Sequence, residues 1–286
     1  YEIIPSDWSS DVCSSDLAWA ARLLGQKAVV YMPKGSAAER LENIRAQGAQ
    51  AEITDLNYDD AVRLANRMGK EHGWILVQDT AWPGYEEIPA WIMEGYTTIA
   101  WELFQQLEDL GGQMPTHLFL QAGVGSFAGA ILGSFAARLG KDCPITCIVE
   151  PDRADCLYRS ARAADGKIHP VTGEMNSMMA GLCCGEPCTI SWEIISPGAA
   201  AFLSCSDEYS AMGMRLLGRP EPGDPAVVSG ESGAVGVGVL SAILHEEKLE
   251  DLRWSLGLNE SSRVLCISTE GDTDQANYQK IVGERV

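Results

Sequence analysis

Six short β-rich runs alternate with amphipathic helical stretches along nearly the whole chain, at residues 27–32, 51–54, 74–77, 117–121, 145–149 and 263–267. A chain that feeds strand into helix into strand has few solutions open to it, and the common one is a parallel sheet covered by helices. The expectation is therefore an α/β fold with open, twisted, mainly parallel sheets. Helix starts are signalled too. Ser36 before Ala37, Ala38 and Glu39 reads as a capping box, and Gly48 closes that helix. Asn57 opens the next helix, with Ala61, Leu64, Ala65 and Met68 on one face. The long helical stretch at 88–110 reads as a bridge between a smaller unit, 18–85, and a larger one, 86–286. Residues 1–17 break the pattern: Ser-Ser-Asp recurs in a polar run that passes abruptly into a helix, which reads as a non-native, artefactual segment.

Charge narrows the function. Lys and Arg total 21 against 40 Asp and Glu, a formal net charge of −19. Such a field disfavours nucleic acid and anionic membranes as partners and suits a small zwitterionic or cationic metabolite. No segment has the length of a membrane span, and the nine cysteines are irregularly spaced, which points to a reducing, cytoplasmic setting. Cys183, Cys184 and Cys188 lack a nearby His or second Cys pair, so buried thiols outweigh a zinc site. No metal is expected.

The strongest local signal is the run 117–121 followed by Ala122, Gly123, Val124, Gly125, Ser126, Phe127, Ala128 and Gly129, and then an apolar helix. A strand, a glycine turn and a helix N-terminus aim successive amides at one spot and can hold a phosphate. The spacing is G-x-G-x-x-x-G, so a dinucleotide site is the weaker reading; tight strand–helix packing is the bland alternative. Three further groups lie where polar residues gather. Ser229, Gly230, Glu231, Ser232 and Gly233 open a second apolar helix, which alone would read as capping. Ser268, Thr269, Glu270, Gly271 and Asp272 follow the last run, at the edge where open α/β sheets bind ligands. Asp79, between Gln78 and Thr80, reads equally as a functional carboxylate or as a turn residue.

Taken together and in this order, these segments resemble fold-type II pyridoxal-phosphate enzymes, the tryptophan synthase β-like group that includes threonine dehydratase, serine racemase and cysteine synthase. Within that group the blocks 31–36, 53–60, 78–82, 149–152, 179–182, 184–187, 229–236 and 268–274 resemble the diaminopropionate ammonia-lyase family, from Ala18 to the C-terminus. The resemblance implies a carbon–nitrogen lyase, a homodimer, that eliminates 2,3-diaminopropionate to pyruvate and ammonia. It implies that Gly123, Val124, Gly125 and Ser126 offer amides to the phosphate of pyridoxal 5'-phosphate. Thr269, or failing it Ser268, would hydrogen-bond the pyridine nitrogen, Asp79 would be a catalytic acid/base, and Glu231 would lie near the cofactor. Cys156 and Cys184 fall where the family can carry a cysteine pair.

The resemblance also implies something missing. The family's Schiff-base lysine lies upstream of Ala18, and its Asp-Gly-Asn-His loop should directly precede Ala18. None of the seven lysines, Lys27, Lys34, Lys70, Lys141, Lys167, Lys248 and Lys280, stands in the matching context. The fold is thus expected to be incomplete at its N-terminus, and the chain as written inactive, poor at retaining cofactor and prone to aggregation. Two rivals stay open: another fold-type II activity such as threonine or serine dehydration or diaminopropionate synthesis, and a non-catalytic ligand-binding remnant of the fold.

Overall fold

The structure is a computed structural model that describes residues 14–283. Helix α1 (Ser14–Leu23) leads into a two-stranded parallel sheet, β1 (Val29–Met32) beside β2 (Gln50–Ile53), with Val29 paired to Gln50 and Met32 to Ile53. Helix α2 (Ala38–Ala46) makes the crossover between them. Val30, Met32 and Ile44 form its small core with Ala18. Helix α3 (Tyr58–His72) starts as the sequence predicts: Asn57 accepts the Asp60 amide at 2.9 Å, and Gly73 stops the helix in the left-handed region. Of the segment read as artefactual, residues 1–13 lie outside the described residues, and Ser14 to Leu17 form the first turn of α1.

Two local expectations are corrected. Ser36 does not cap α2; its hydroxyl donates to the Pro33 carbonyl at 2.8 Å, and Ala37 takes the N-cap position with no side-chain hydrogen bond. The serine is one residue too early, and a proline carbonyl within reach competes for its proton. Residues 74–77 form no strand. They have strand-like composition but no ladder partner, so Ile75 is 80% exposed, and the Tyr85 hydroxyl serves the backbone instead. It donates to the Leu76 carbonyl at 2.9 Å and accepts the Gln78 amide at 3.0 Å.

Helix α4 (Glu87–Asp109) then leads to a four-stranded sheet of β3 (His117–Gln121), β4 (Ile145–Pro151), β5 (Ala201–Cys205) and β6 (Val264–Cys266), in the order β5-β4-β3-β6 and parallel throughout. Helices α5 (Ser126–Leu139), α6 (Cys156–Ala163), α7 (Thr189–Gly198), α8 (Asp207–Gly218), α9 (Glu231–His245), α10 (Glu250–Ser255) and α11 (Gln275–Val282) accompany it. All five residues of β3 are buried, which is the pattern of a strand covered on both faces. Alternate residues accordingly enter two apolar clusters: Leu118 and Leu120 pack with Ile131, Leu132 and Phe135, whereas Phe119 packs with Val149, Val235 and Val239. Strand β5 escaped the sequence reading, because Ala-Phe-Leu-Ser-Cys holds no β-branched residue. Among the described residues, no helix is long and apolar enough to cross a membrane.

Candidate functional site

A cavity of about 1940 Å³ opens at the carboxyl ends of β3 and β6, with residues of β1 and of the 74–79 segment forming other parts of its wall. Gly123, Val124, Gly125, Ser126 and Ala128 line it, as do Asp79, Gln121, Thr269 and Glu270. The three segments that the sequence placed far apart therefore meet at one site.

Gly125 has φ of 97° and is the N-cap of α5; no side chain caps the helix there. The first turn of this 14-residue helix thus lies on the cavity wall with no side-chain cap, and free first-turn amides together with the helix dipole are an arrangement that suits an anion. There is little room for a side chain at either glycine of this turn. A Cβ on Gly125 would meet Ser191 Oγ at 2.9 Å, and one on Gly123 would meet Cys184 Sγ at 3.0 Å. Cys156, in turn, points its sulfur at the Gly123 carbonyl at 3.8 Å. Cys156 and Cys184 are both free thiols, and burial pushes both well up.

Asp79 is tied to that turn: Ser126 Oγ donates to the Asp79 carbonyl at 2.7 Å. Desolvation raises its carboxyl to about 6, against the opposing pull of its own backbone amide and the Tyr58 hydroxyl. The same hydroxyl also accepts from Gln78 Nε2. A carboxyl poised near neutrality can both give and take a proton.

Opposite, Gln121 Nε2 donates to the Ile267 carbonyl at 2.7 Å and to Thr269 Oγ1 at 3.2 Å. Of the two hydroxyls proposed for one role, Thr269 lines the cavity, while Ser268 Oγ pairs with Ser229 Oγ at 2.7 Å. Glu231 lies elsewhere. As the first residue of α9 it turns toward α11, where its carboxylate accepts from Asn277 Nδ2 at 2.6 Å, and the glutamate on the cavity wall is Glu270.

Glu270 and Arg40 escaped the sequence reading as a pair. Arg40, on α2, donates from one guanidinium nitrogen to Glu270 Oε1 at 2.7 Å and to Thr273 Oγ1 at 2.9 Å. Glu270 Oε2 takes the Ser232 amide at 2.7 Å, at the start of α9. Both side chains are only 6% exposed. The one available signal was Arg40 itself, a cation standing four residues before Ile44 on the buried face of its helix.

The chain belongs to the pyridoxal-phosphate dependent enzyme family, whose model matches residues 11–269. It is 55% identical over 267 residues to the diaminopropionate ammonia-lyase of Salmonella typhimurium, covering 93% of this chain and 66% of that protein. To the diaminopropionate ammonia-lyase of Escherichia coli strain K12 it is 51% identical over 268 residues, covering 94% and 67%. The E. coli diaminopropionate ammonia lyase crystal structure in complex with an aminoacrylate-PLP azomethine reaction intermediate superposes with a TM-score of 0.89 at 48% identity, over 96% of this chain and 70% of that one. The chain thus spans about two thirds of the length of the curated relatives it matches.

Its cofactor is accordingly pyridoxal phosphate. The residues fit that group. The uncapped first turn of α5 suits the phosphate, and a neutral hydroxyl at Thr269 suits an unprotonated ring nitrogen.

Proposed function

We propose that this chain forms the cofactor pocket and supplies a proton-carrying acid of a diaminopropionate ammonia-lyase, which converts 2,3-diaminopropionate to pyruvate and ammonia. The likeness to lyases of that name supports the reading. The observation that carries it is the 2.7 Å bond from Ser126 to the Asp79 carbonyl, because it fixes the backbone of a residue whose carboxyl is raised to about 6 beside a turn suited to an anion.

When bound, pyridoxal phosphate supplies the electron sink that makes the substrate α-hydrogen acidic. The amides of Gly123, Val124, Gly125 and Ser126 hold the phosphate, and Thr269 rather than Ser268 meets the ring nitrogen. Asp79 moves a proton at the α-carbon or at the leaving amine. Asp55, Asp60 and Glu174 add acidic groups to the cavity wall, which favours a substrate with two amino groups. Glu231, held by Asn277, acts on the site only through the first turn of α9.

The lysine that would hold the cofactor covalently is, on this reading, none of the seven in this chain, since all seven are exposed. Lys27 and Lys34 do line the cavity, but as solvated side chains. A homodimer in the cytoplasm belongs to the same proposal; light scattering that reads twice the chain mass checks the dimer.

The test is diaminopropionate-dependent release of pyruvate. The chain alone is expected to give none, and a fusion to the part of the E. coli relative that this chain does not cover is expected to turn over. In that fusion Asp79→Asn lowers kcat by roughly 10²–10⁴-fold. A fusion that ignores diaminopropionate yet dehydrates serine or threonine would transfer the assignment to a dehydratase.

A further inference from the structure

Gln121 is the last residue of β3, only 4% exposed, and its side chain continues a ladder that the backbone has left off. Pairing between β3 and β6 ends at Phe119 and Cys266. Beyond that point the Gln121 amide reaches across to the Ile267 carbonyl at 2.7 Å. A carbonyl can only accept, so the group facing it is the NH2 end of the amide and not its oxygen. The amide nitrogen has one remaining hydrogen, and Thr269 Oγ1 lies 3.2 Å away. An amide nitrogen does not accept hydrogen bonds, so the threonine oxygen must be the acceptor in this contact. The hydroxyl hydrogen of Thr269 is then left over, and no other hydrogen bond to a protein group uses it among the described residues.

From this we infer that Gln121 is a positioning residue that occupies one lone pair of the Thr269 oxygen, holds that oxygen in place at the cavity and leaves its hydrogen available to an unprotonated ring nitrogen. The chain of polarity runs from the Ile267 carbonyl through the Gln121 amide to the Thr269 oxygen and out through its hydrogen. The first two links are dictated by what each group can donate; the third depends on where the Thr269 oxygen is held. Without the Gln121 contact that oxygen loses the partner that places it, and its hydrogen bond to a ligand weakens. The inference rests on the proposal that Thr269 faces the cofactor ring.

The test uses the whole chain and pyridoxine 5'-phosphate, which has the ring nitrogen and the phosphate but no aldehyde, so that its binding requires no lysine. Its partner probe is the analogue with C–H in place of the ring nitrogen. The unmutated chain is expected to prefer the nitrogen ligand by about threefold to tenfold in Kd, the worth of one hydrogen bond. Gln121→Met should reduce that preference, because the Thr269 hydroxyl is then no longer held toward the ligand. Retention of the full preference in Gln121→Met overturns the inference.

Failure of the underlying reading looks different: the unmutated chain then fails to distinguish the two probes, and Thr269→Val changes nothing. If Gln121→Met does not fold, the unmutated side chain still decides the matter. Thr269→Val should shift one of the two Gln121 amide protons in the NMR spectrum and leave the one facing Ile267 in place. Two unmoved protons would refute the contact.

Discussion

The two sheets of this molecule are built to different standards. In the four-stranded sheet, Leu118, Phe119, Leu120, Cys147, Ile148 and Val149 are all at 0% exposure, and the strands carry the turn at 123–126 and the Thr269 loop at their carboxyl ends. In the two-stranded sheet, β2 shows the burial pattern of a strand with little over it, and the neighbouring segment 74–77 offers Trp74, Ile75 and Val77 to solvent. The lesson is a division of labour: the turn at 123–126 and Thr269 follow strands of the well-buried sheet, whereas Asp79 reaches the cavity from a segment whose own support is thin. That segment borrows rigidity from the larger sheet, through Ser126.

The contrast should be sharpest in the cores. Phe119→Ala is expected to cost about 3–5 kcal/mol, since the side chain is wholly enclosed. Ile53→Ala, at 37% exposure on β2, should cost less than about 1 kcal/mol. Denaturant titrations of the two variants make the comparison, and equal losses would erase the distinction between the sheets. The next effect concerns the pair that joins them. Arg40→Met leaves Glu270 charged, buried and without its cation, at a cost of about 3 kcal/mol or more. The same variant should loosen the Thr269 loop, read as faster amide exchange across residues 268–273.

A smaller effect follows from Asp59, on α3, whose Oδ2 accepts the Gly185 amide at 3.1 Å. Desolvation first, and then the nearby Glu186, raises its carboxyl to about 6 from an ordinary 3.8. The folded state therefore binds this proton more tightly than the unfolded state does. The stabilisation is complete below about pH 3.8 and is lost as pH rises toward about 6. Asp59→Asn keeps an acceptor for Gly185 and removes that slope, so at pH 7 it should gain roughly 2 kcal/mol. A pH series of melting curves that runs parallel for the two proteins would contradict this.

Local signals in the sequence served well where burial and pattern agree. Strand β3 lies at 117–121 as predicted, and the long helix at 87–109 lies within one residue of the prediction at each end. The Asn57 cap is where a short polar side chain before an acidic first turn should be. The failures have a common cause: they depend on what comes near from elsewhere in the chain. Residues 74–77 have the composition of a strand and lack only a neighbour. Arg40 and Glu270 are 230 residues apart, and nothing in either segment announces the other. Gln121 was legible as the end of a strand, but its amide acquires meaning only when Ile267 and Thr269 are placed beside it. At the cavity, the turn at 123–126, Asp79 and Thr269 could each be picked out of a short contiguous block, and the structure brings them to its wall; Glu231 does not line that wall and turns to Asn277 instead.

The bond from Ser126 to Asp79 runs from a side chain to a main-chain oxygen, so it grips the acid's backbone and leaves the carboxyl itself unencumbered by that contact. Thermal displacement of α5 then carries the Asp79 backbone along with the glycine turn, and their errors of position are correlated. The spacing between the turn amides and the Asp79 backbone can stay constant even while the mouth of the cavity widens and narrows around them.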